Sequence, residues 1–462
     1  ITEEVLGLFA QQASMWAPLL DVRDEGWRDG VHTIRGAAAG IGAPLNPAYT
    51  AAGIVTADIS GTAQDIPASG AGLSTTSANV ELELSYLSGN TTFYWNGAAF
   101  ASSPLLVTAN ASPLSGLGNW NYLNPPGNAA WNAQGDRTYV LKARASDAAR
   151  DAGDLWTTGN IGSFVQASFI VDVTPPVSRA VVPSSAAYMD NLPMITGTAN
   201  GDLAGLDKVE LTLKDETSNL FWSGTQWVSQ TISTLPASFG VVTGTPTWTF
   251  DSSGIAFTDG SRYSVTPKAT DLAGNPEAAP VNIPFFFDSQ SPNVSITKPA
   301  PGATTPVYSN NAESALTMTA LSGTAVDPGA NAGGVSQVWV AVSSGATNGV
   351  WWDDAANAFA VSQTAVYWSS SLPAGFNPWT YNKGAFAGQL QDGNVYTVFA
   401  RARDSAGNLR GYVTNPGDAG VVKQSFIFDV SRPTSTISSP SQTYHSGSLT
   451  TLAGTAVETG GG

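Results

Sequence analysis

The chain contains no cysteine, two histidines and few basic residues, and each scarcity closes off a class of protein. Without cysteine there is no disulfide framework and no thiolate metal site, so every domain must hold itself together by apolar burial. A thiol nucleophile is excluded for the same reason, and His32 and His445 are the only imidazoles. No HExxH, GxSxG or P-loop pattern occurs, so the sequence predicts a protein that is not an enzyme and has no catalytic residues. Lys and Arg number 19 against 35 Asp and Glu, and the resulting charge of -16 repels nucleic acid phosphates and anionic membranes alike. No run approaches the ~18 consecutive apolar residues of a membrane helix. The chain opens on Ile1 without a signal-peptide pattern, as expected of a processed or excerpted segment.

What is present is glycine (48), proline (28) and 10% aromatics, with only 12% charged residues, a profile of many short strands joined by turns. The length of 462 residues corresponds to roughly three domains. Internal repetition gives the same number. A small-residue motif occurs four times, as Ile59-Ser60-Gly61-Thr62-Ala63, Ile195-Thr196-Gly197-Thr198-Ala199, Leu321-Ser322-Gly323-Thr324-Ala325 and Leu452-Ala453-Gly454-Thr455-Ala456. Its glycines are 136, 126 and 131 residues apart.

A second motif joins a turn to a strand: Gly135-Asp136 before Tyr139 and Asp147, Asp259-Gly260 before Tyr263 and Asp271, and Asp392-Gly393 before Tyr396 and Asp404. Tyr139, Leu141, Ala143 and Ala145 alternate as a half-buried strand does, matched by Tyr263, Val265, Pro267, Ala269 and by Tyr396, Val398, Ala400, Ala402. Pro267 should remove one ladder hydrogen bond. Each unit closes on an aromatic strand ending in Asp172, Asp288 or Asp429, followed by Pro175-Pro176, Pro292 or Pro433. Mid-unit there is an aromatic pair running into a turn: Tyr94-Trp95-Asn96-Gly97, Phe221-Trp222-Ser223-Gly224 and Trp351-Trp352-Asp353-Asp354.

These landmarks divide the chain into an N-terminal segment (1–21), repeats at 22–172, 173–288 and 289–429, and the start of a fourth repeat (430–462). In the N-terminal segment Thr2 can cap a short helix carrying Val5, Leu8, Phe9 and Gln12, ending near Pro18. The fourth repeat holds strand material without enough strands to cover it, which predicts completion by further chain or by a partner's edge.

Short strands, a tyrosine after a tight turn and Pro-marked junctions predict an all-β fold of tandem immunoglobulin-like sandwiches in an extended array. Strands of about ten residues make each unit on the order of 35 Å long. The strings Ala269-Thr270-Asp271-Leu272-Ala273-Gly274-Asn275 and Ala402-Arg403-Asp404-Ser405-Ala406-Gly407-Asn408, with the Phe-rich strand and Asp-to-Pro junction after them, resemble the bacterial Ig-like repeats of large extracellular surface proteins and adhesins. Repeat 1 departs, reading Ala145-Ser146-Asp147-Ala148-Ala149-Arg150. The resemblance implies an extracellular, cell-surface location; fold alone does not assign function.

Two sets of residues are candidates for binding. Asp147, Asp172, Asp271, Asp288, Asp404 and Asp429 can supply oxygen ligands to structural calcium near domain junctions, stiffening a rod. The simpler reading is that Asp followed by Ala-Gly-Asn forms an Asx turn and no cofactor is needed. Tyr94, Trp95, Phe221, Trp222, Trp351 and Trp352 can stack on a glycan or on a neighbouring subunit, although alternation should send every second ring into the core. The functional expectation is a structural segment of a long secreted surface protein forming a stalk, fibre or filament, partnered by further repeats or copies of itself. An adhesin or glycan-binding module and a spacer of a multidomain extracellular enzyme are the alternatives.

Overall fold

The computed structural model describes residues 37–458 apart from short internal stretches, the longest being 149–160, 310–317 and 411–421. The helix expected near the amino terminus, His32 and His445 lie outside the described residues. The chain divides into two compact units, Ile1–Val173 and Thr174–Gly462. The first contains one sandwich, the second two sandwiches and a hairpin.

Each sandwich consists of a small and a large sheet drawn from one repeat. In repeat 1 the small sheet runs in the order Ala38–Ala43, Ser60–Gln64, Leu117–Asn121, Ala111–Ser112. The large sheet runs Ala48–Tyr49, Val165–Val171, Arg137–Ala145, Val80–Ser88, Thr91–Trp95, Phe100–Ala101. The short first strand pairs in parallel with the last, Ile170 opposite Ala48, while the other ladders are antiparallel. Repeats 2 and 3 repeat this plan, except that the small sheet of repeat 3 has three strands among the described residues, with parallel pairing of Ala187–Met189 to Ile283–Phe287 and of Val307–Tyr308 to Val422–Phe428. This is an immunoglobulin-like sandwich: the opening strand feeds the small sheet and its continuation borders the last strand of the large one.

The predicted alternation appears as burial. Along Arg137–Ala145, Tyr139, Leu141, Ala143 and Ala145 face the core and the residues between them do not. Tyr263 and Tyr396 are buried at the equivalent place, and their hydroxyls accept the amides of Thr258 and Gln391, both at 2.8 Å, five residues upstream. In repeat 1 the helix Asn128–Gln134 fills that corner instead, and Trp131 packs edge-on to Tyr139 with ring centroids 4.8 Å apart. Pro267 acts as its chemistry requires. Repeats 1 and 3 carry the pairing with the last strand on to Ala143–Val165 and Ala400–Val422, whereas repeat 2 stops at Val265–Ile283, just short of the proline.

The glycine of the small-residue motif has a specific partner. Gly61, Gly197 and Gly323 lie directly across the small sheet from Trp120, Trp248 and Trp379. All three indoles are completely buried. A Cβ placed on Gly197 would sit 2.2 Å from the Trp248 ring and 2.3 Å from the Arg179 carbonyl oxygen, and Gly61 and Gly323 are hemmed in the same way. The bare Cα is what lets the ring lie flat over the strand, and in two repeats the indole N–H then reaches the next carbonyl, Thr62 O at 3.0 Å and Thr198 O at 3.1 Å.

Past residue 429 the described structure is a hairpin of Thr434–Ser439 and Ala453–Val457. Ile437 and Leu452 stand largely exposed on it. No helix among the described residues is long and apolar enough to cross a membrane.

Gly197→Ala should destabilise repeat 2 by about 3 kcal/mol through overpacking against Trp248. Calorimetry of the full chain should show one unfolding transition moved down with the others in place; an unchanged profile would refute the Gly–Trp account.

Candidate functional site

The turn motif and the aspartate that ends each repeat belong to one device. Asp136 accepts the Val173 amide at 2.8 Å, Asp259 accepts Ser289 at 2.7 Å and Asp392 accepts Val430 at 2.7 Å. In each case a turn carboxylate grips the residue that follows the closing aspartate. The closing aspartates are anchored from the other side, the amides of Asp172, Asp288 and Asp429 donating to the carbonyls of Tyr49, Met189 and Tyr308. The backbone at the end of each sandwich is therefore held by hydrogen bonds on both sides. Burial alone would raise the Asp259 carboxyl, but hydrogen bonds from Ser289 and Gln290 outweigh it and hold the group below its ordinary value. The Ser431 hydroxyl does the same for Asp392.

The aspartates of the Ala-Gly-Asn strings form Asx turns. Asp271 accepts the amides of Gly274 and Asn275 at 2.7 and 2.8 Å on one oxygen, and the Asn275 side chain at 2.9 Å on the other. Asp404 does likewise with Gly407, Asn408 and the Asn408 side chain at 2.7, 2.8 and 3.0 Å. Gly274 and Gly407 have φ of 100° and 111°, the left-handed conformation that such a turn requires. Asp147 is buried beside Leu73 in repeat 1, where the sequence lacks the glycine and asparagine. Asp429 is half-buried and accepts the Ser431 amide at 3.0 Å. Asp172 is fully buried at the end of its strand.

Within the second unit, repeats 2 and 3 meet through polar groups. Asn331 donates to the Gly260 carbonyl at 2.9 Å, the Gly333 amide to Asp288 Oδ2 at 2.8 Å, and Asn408 Nδ2 to the Asp288 carbonyl at 2.7 Å. The Asx turn of repeat 3 thus reaches back into repeat 2. Here Asp288 and Asp404 come together, joined by Asp327, whose position in the turn after Leu321–Val326 gave it no prominence in the sequence. Carboxylate oxygens of the three lie within 4.8 Å of one another. Asp288 and Asp404 are 2% exposed, and both oxygens of Asp327 are shielded from solvent. Burial, then the charge of Asp288, push the Asp327 carboxyl up to about 6 against a small opposing pull from the Gly334 amide. Burial raises Asp288 as well, and Asp404 adds to the effect. Among the described residues no Lys or Arg pairs with any of the three.

A sequence signal for Asp327 exists. An acid follows the motif glycine by four or five residues in every copy: Asp65 after Gly61, Asp202 after Gly197, Asp327 after Gly323 and Glu458 after Gly454.

The aromatic candidates divide as alternation requires in repeats 1 and 2. Trp95 and Trp222 are buried, whereas Tyr94 and Phe221 are half-buried on the outer face. In repeat 3 both Trp351 and Trp352 are buried, which corrects the expectation that one would face outward. Trp352 joins the main core, and Trp351 enters a second cluster with Ala341, Phe399 and Val366 on the opposite face. The chain returns over that face, and the Trp351 indole donates to the Gln363 carbonyl at 2.9 Å. Rings without an exposed face do not stack on a sugar, so Trp95, Trp222, Trp351 and Trp352 act in packing.

No family model and no curated protein matches the chain. Solved structures similar to it include the fibronectin(III)-like modules of Clostridium thermocellum CbhA, at 14% identity over 55% of this chain and 94% of that one, with a TM-score of 0.27. Another is the ICAM-5 D1–D4 ectodomain fragment, at 12% identity over 85% and 76% and a TM-score of 0.25. A third is protocadherin gamma B2 extracellular cadherin domains 3–6, at 13% over 77% and 73% and a TM-score of 0.20.

Asp271→Ala should strand the amides of Gly274 and Asn275 and destabilise the turn by about 1–3 kcal/mol. Hydrogen exchange should quicken across residues 269–277 and stay unchanged in the small sheet of repeat 2; uniform exchange would contradict a local role for the turn.

Proposed function

We propose that this chain is a structural segment of a long secreted surface protein, a stalk, fibre or filament whose function is reach and mechanical continuity. The observation that supports this reading is the exit clamp, in which Asp136, Asp259 and Asp392 each hold the first linker amide. A flexible tether has no use for it. Fixing the exit of every sandwich matters when direction and tension must pass from one to the next. The side-chain and backbone hydrogen bonds that cross from repeat 2 to repeat 3 serve the same end.

The extracellular setting rests on the resemblance to bacterial surface repeats. No catalytic role is assigned. The adhesin alternative has Tyr94 and Phe221 left to it among the rings first considered, both partly exposed on strands of the large sheets. The partners in the preferred reading are further repeats or copies of the same chain.

Electron microscopy of the native material on cells should show continuous fibres with an axial repeat equal to a whole number of sandwiches. Isolated flexible rods with a distinct tip would overturn the filament reading in favour of an adhesin or an enzyme spacer.

A further inference from the structure

The outer face of the large sheet in repeat 3 departs from its counterparts. A cation stands five residues after each of Tyr139, Tyr263 and Tyr396, as Arg144, Lys268 and Arg401. Across the ladder Arg144 faces Glu81 and Lys268 faces Glu210. Arg144 holds Glu81 at 2.7 Å, and beside it Lys142 holds Glu83 at 2.8 Å. In repeat 3 Trp339 occupies the place of the glutamate. The guanidinium carbon of Arg401 lies 4.6 Å from the centroid of the Trp339 ring and 4.3 Å from that of Trp368. Trp368 is brought there by the chain that returns over this face, where the Ser369 amide donates to the Val340 carbonyl at 2.9 Å. An acid–base pair has become a stack of a cation on indoles.

Further positive charge shares the face. Arg403, two residues along the same strand and about 7 Å from Arg401, is exposed opposite Gln337. Lys423 is exposed opposite Phe399. The strands Val335–Ser344, Asn394–Asp404 and Val422–Phe428 contain one acid, Asp404, and it is buried in its turn. In a chain of net charge -16, this face is basic. Stacking engages the faces of a guanidinium, so its N–H donors lie in its plane and are directed to its edges. Trp339 and Trp368 are half-buried, which leaves part of each indole at the surface.

We propose that this face, centred on Trp339, Arg401 and Trp368 with Arg403 and Lys423 beside them, binds an acidic polysaccharide. A sugar ring offers C–H surface to an indole, and carboxylate or sulfate groups along the polymer meet the cations. The surface is an open sheet face, which suits an extended chain better than an isolated ion. A second copy docking sheet to sheet is the poorer fit, because Glu81, Glu83 and Glu210 on the equivalent faces are already held by Arg144, Lys142 and Lys208. The site goes beyond the fibre reading and does not depend on it.

The test is affinity electrophoresis of the full chain through gels containing polygalacturonate, dextran sulfate or neutral dextran, all in EDTA so that no divalent ion bridges acid to acid. Wild type should be retarded by at least one of the two acidic polymers and not by dextran, and sodium chloride should weaken the retardation. Trp339→Glu, which restores the residue type of repeats 1 and 2, should weaken binding by about tenfold or more, because it sets a like charge against the polymer. The double variant Arg403→Gln with Lys423→Gln, changed only at exposed positions, should also weaken it if Trp339→Glu folds poorly. Lys268→Gln removes one cation from the equivalent face of repeat 2 and should leave binding unchanged. Retardation by neither acidic polymer overturns the proposal, as does equal retardation by dextran, unchanged binding in both repeat 3 variants, or an equal loss in Lys268→Gln. Self-association of wild type that Trp339→Glu abolishes, without polymer binding, would assign the face to a second copy instead. Fibres with an intact axial repeat but no polymer binding would reject this site and leave the filament reading in place.

Discussion

The sandwiches of this protein depend on a bare Cα facing an indole. Trp120, Trp248 and Trp379 each lie across a glycine of the neighbouring strand of the small sheet, within the core that the two sheets share. A tryptophan is the largest apolar body available to a chain without disulfides, and burying it completely stabilises a domain that has no covalent staple. The ring reaches that depth only because the strand opposite offers no Cβ. The rest of the core, the corner tyrosines and the closing phenylalanines, is arranged around the space this pair defines.

With the core secured in that way, the ends of each sandwich become the places where polar chemistry concentrates. Strand faces are rich in Thr, Ser and small residues, and Asp136, Asp259 and Asp392 lie where the chain leaves each sandwich. Asp259 holds the departing linker, Asp288 receives an amide of the following repeat, and the Asn408 side chain returns a bond to the Asp288 carbonyl. Contacts of this kind fix orientation more than they supply energy, because each directed hydrogen bond adds only about 1 kcal/mol net. A junction built from them is specific in angle.

Much of this was legible in the sequence, and the boundary of legibility has physical reasons. The strand alternation at Tyr139 to Ala145, the ladder ended by Pro267 and the Asx turns at Asp271 and Asp404 follow from local chemistry, which one repeat is enough to display. The Gly–Trp pair was half-visible: the glycine motif was plain, but its partner lies 50 to 60 residues away at a spacing that differs between repeats. Trp351 resisted the period-two rule because an insertion returns over the outer face of its strand and creates a second apolar side. Asp327 was passed over because Asp-Pro-Gly reads as an ordinary turn, and only the meeting of two repeats gives its carboxylate neighbours.

That meeting also separates the turn from the site. Asp404 alone is sufficient for its Asx turn, since Asp271 forms the same turn with the same distances on a different repeat. Asp259 alone is sufficient to hold the linker. Neither task calls for Asp327, which stands where burial and the charges of Asp288 and Asp404 oppose its ionisation. Asparagine at that position would have the same shape without the charge, so what distinguishes aspartate there is the charge itself.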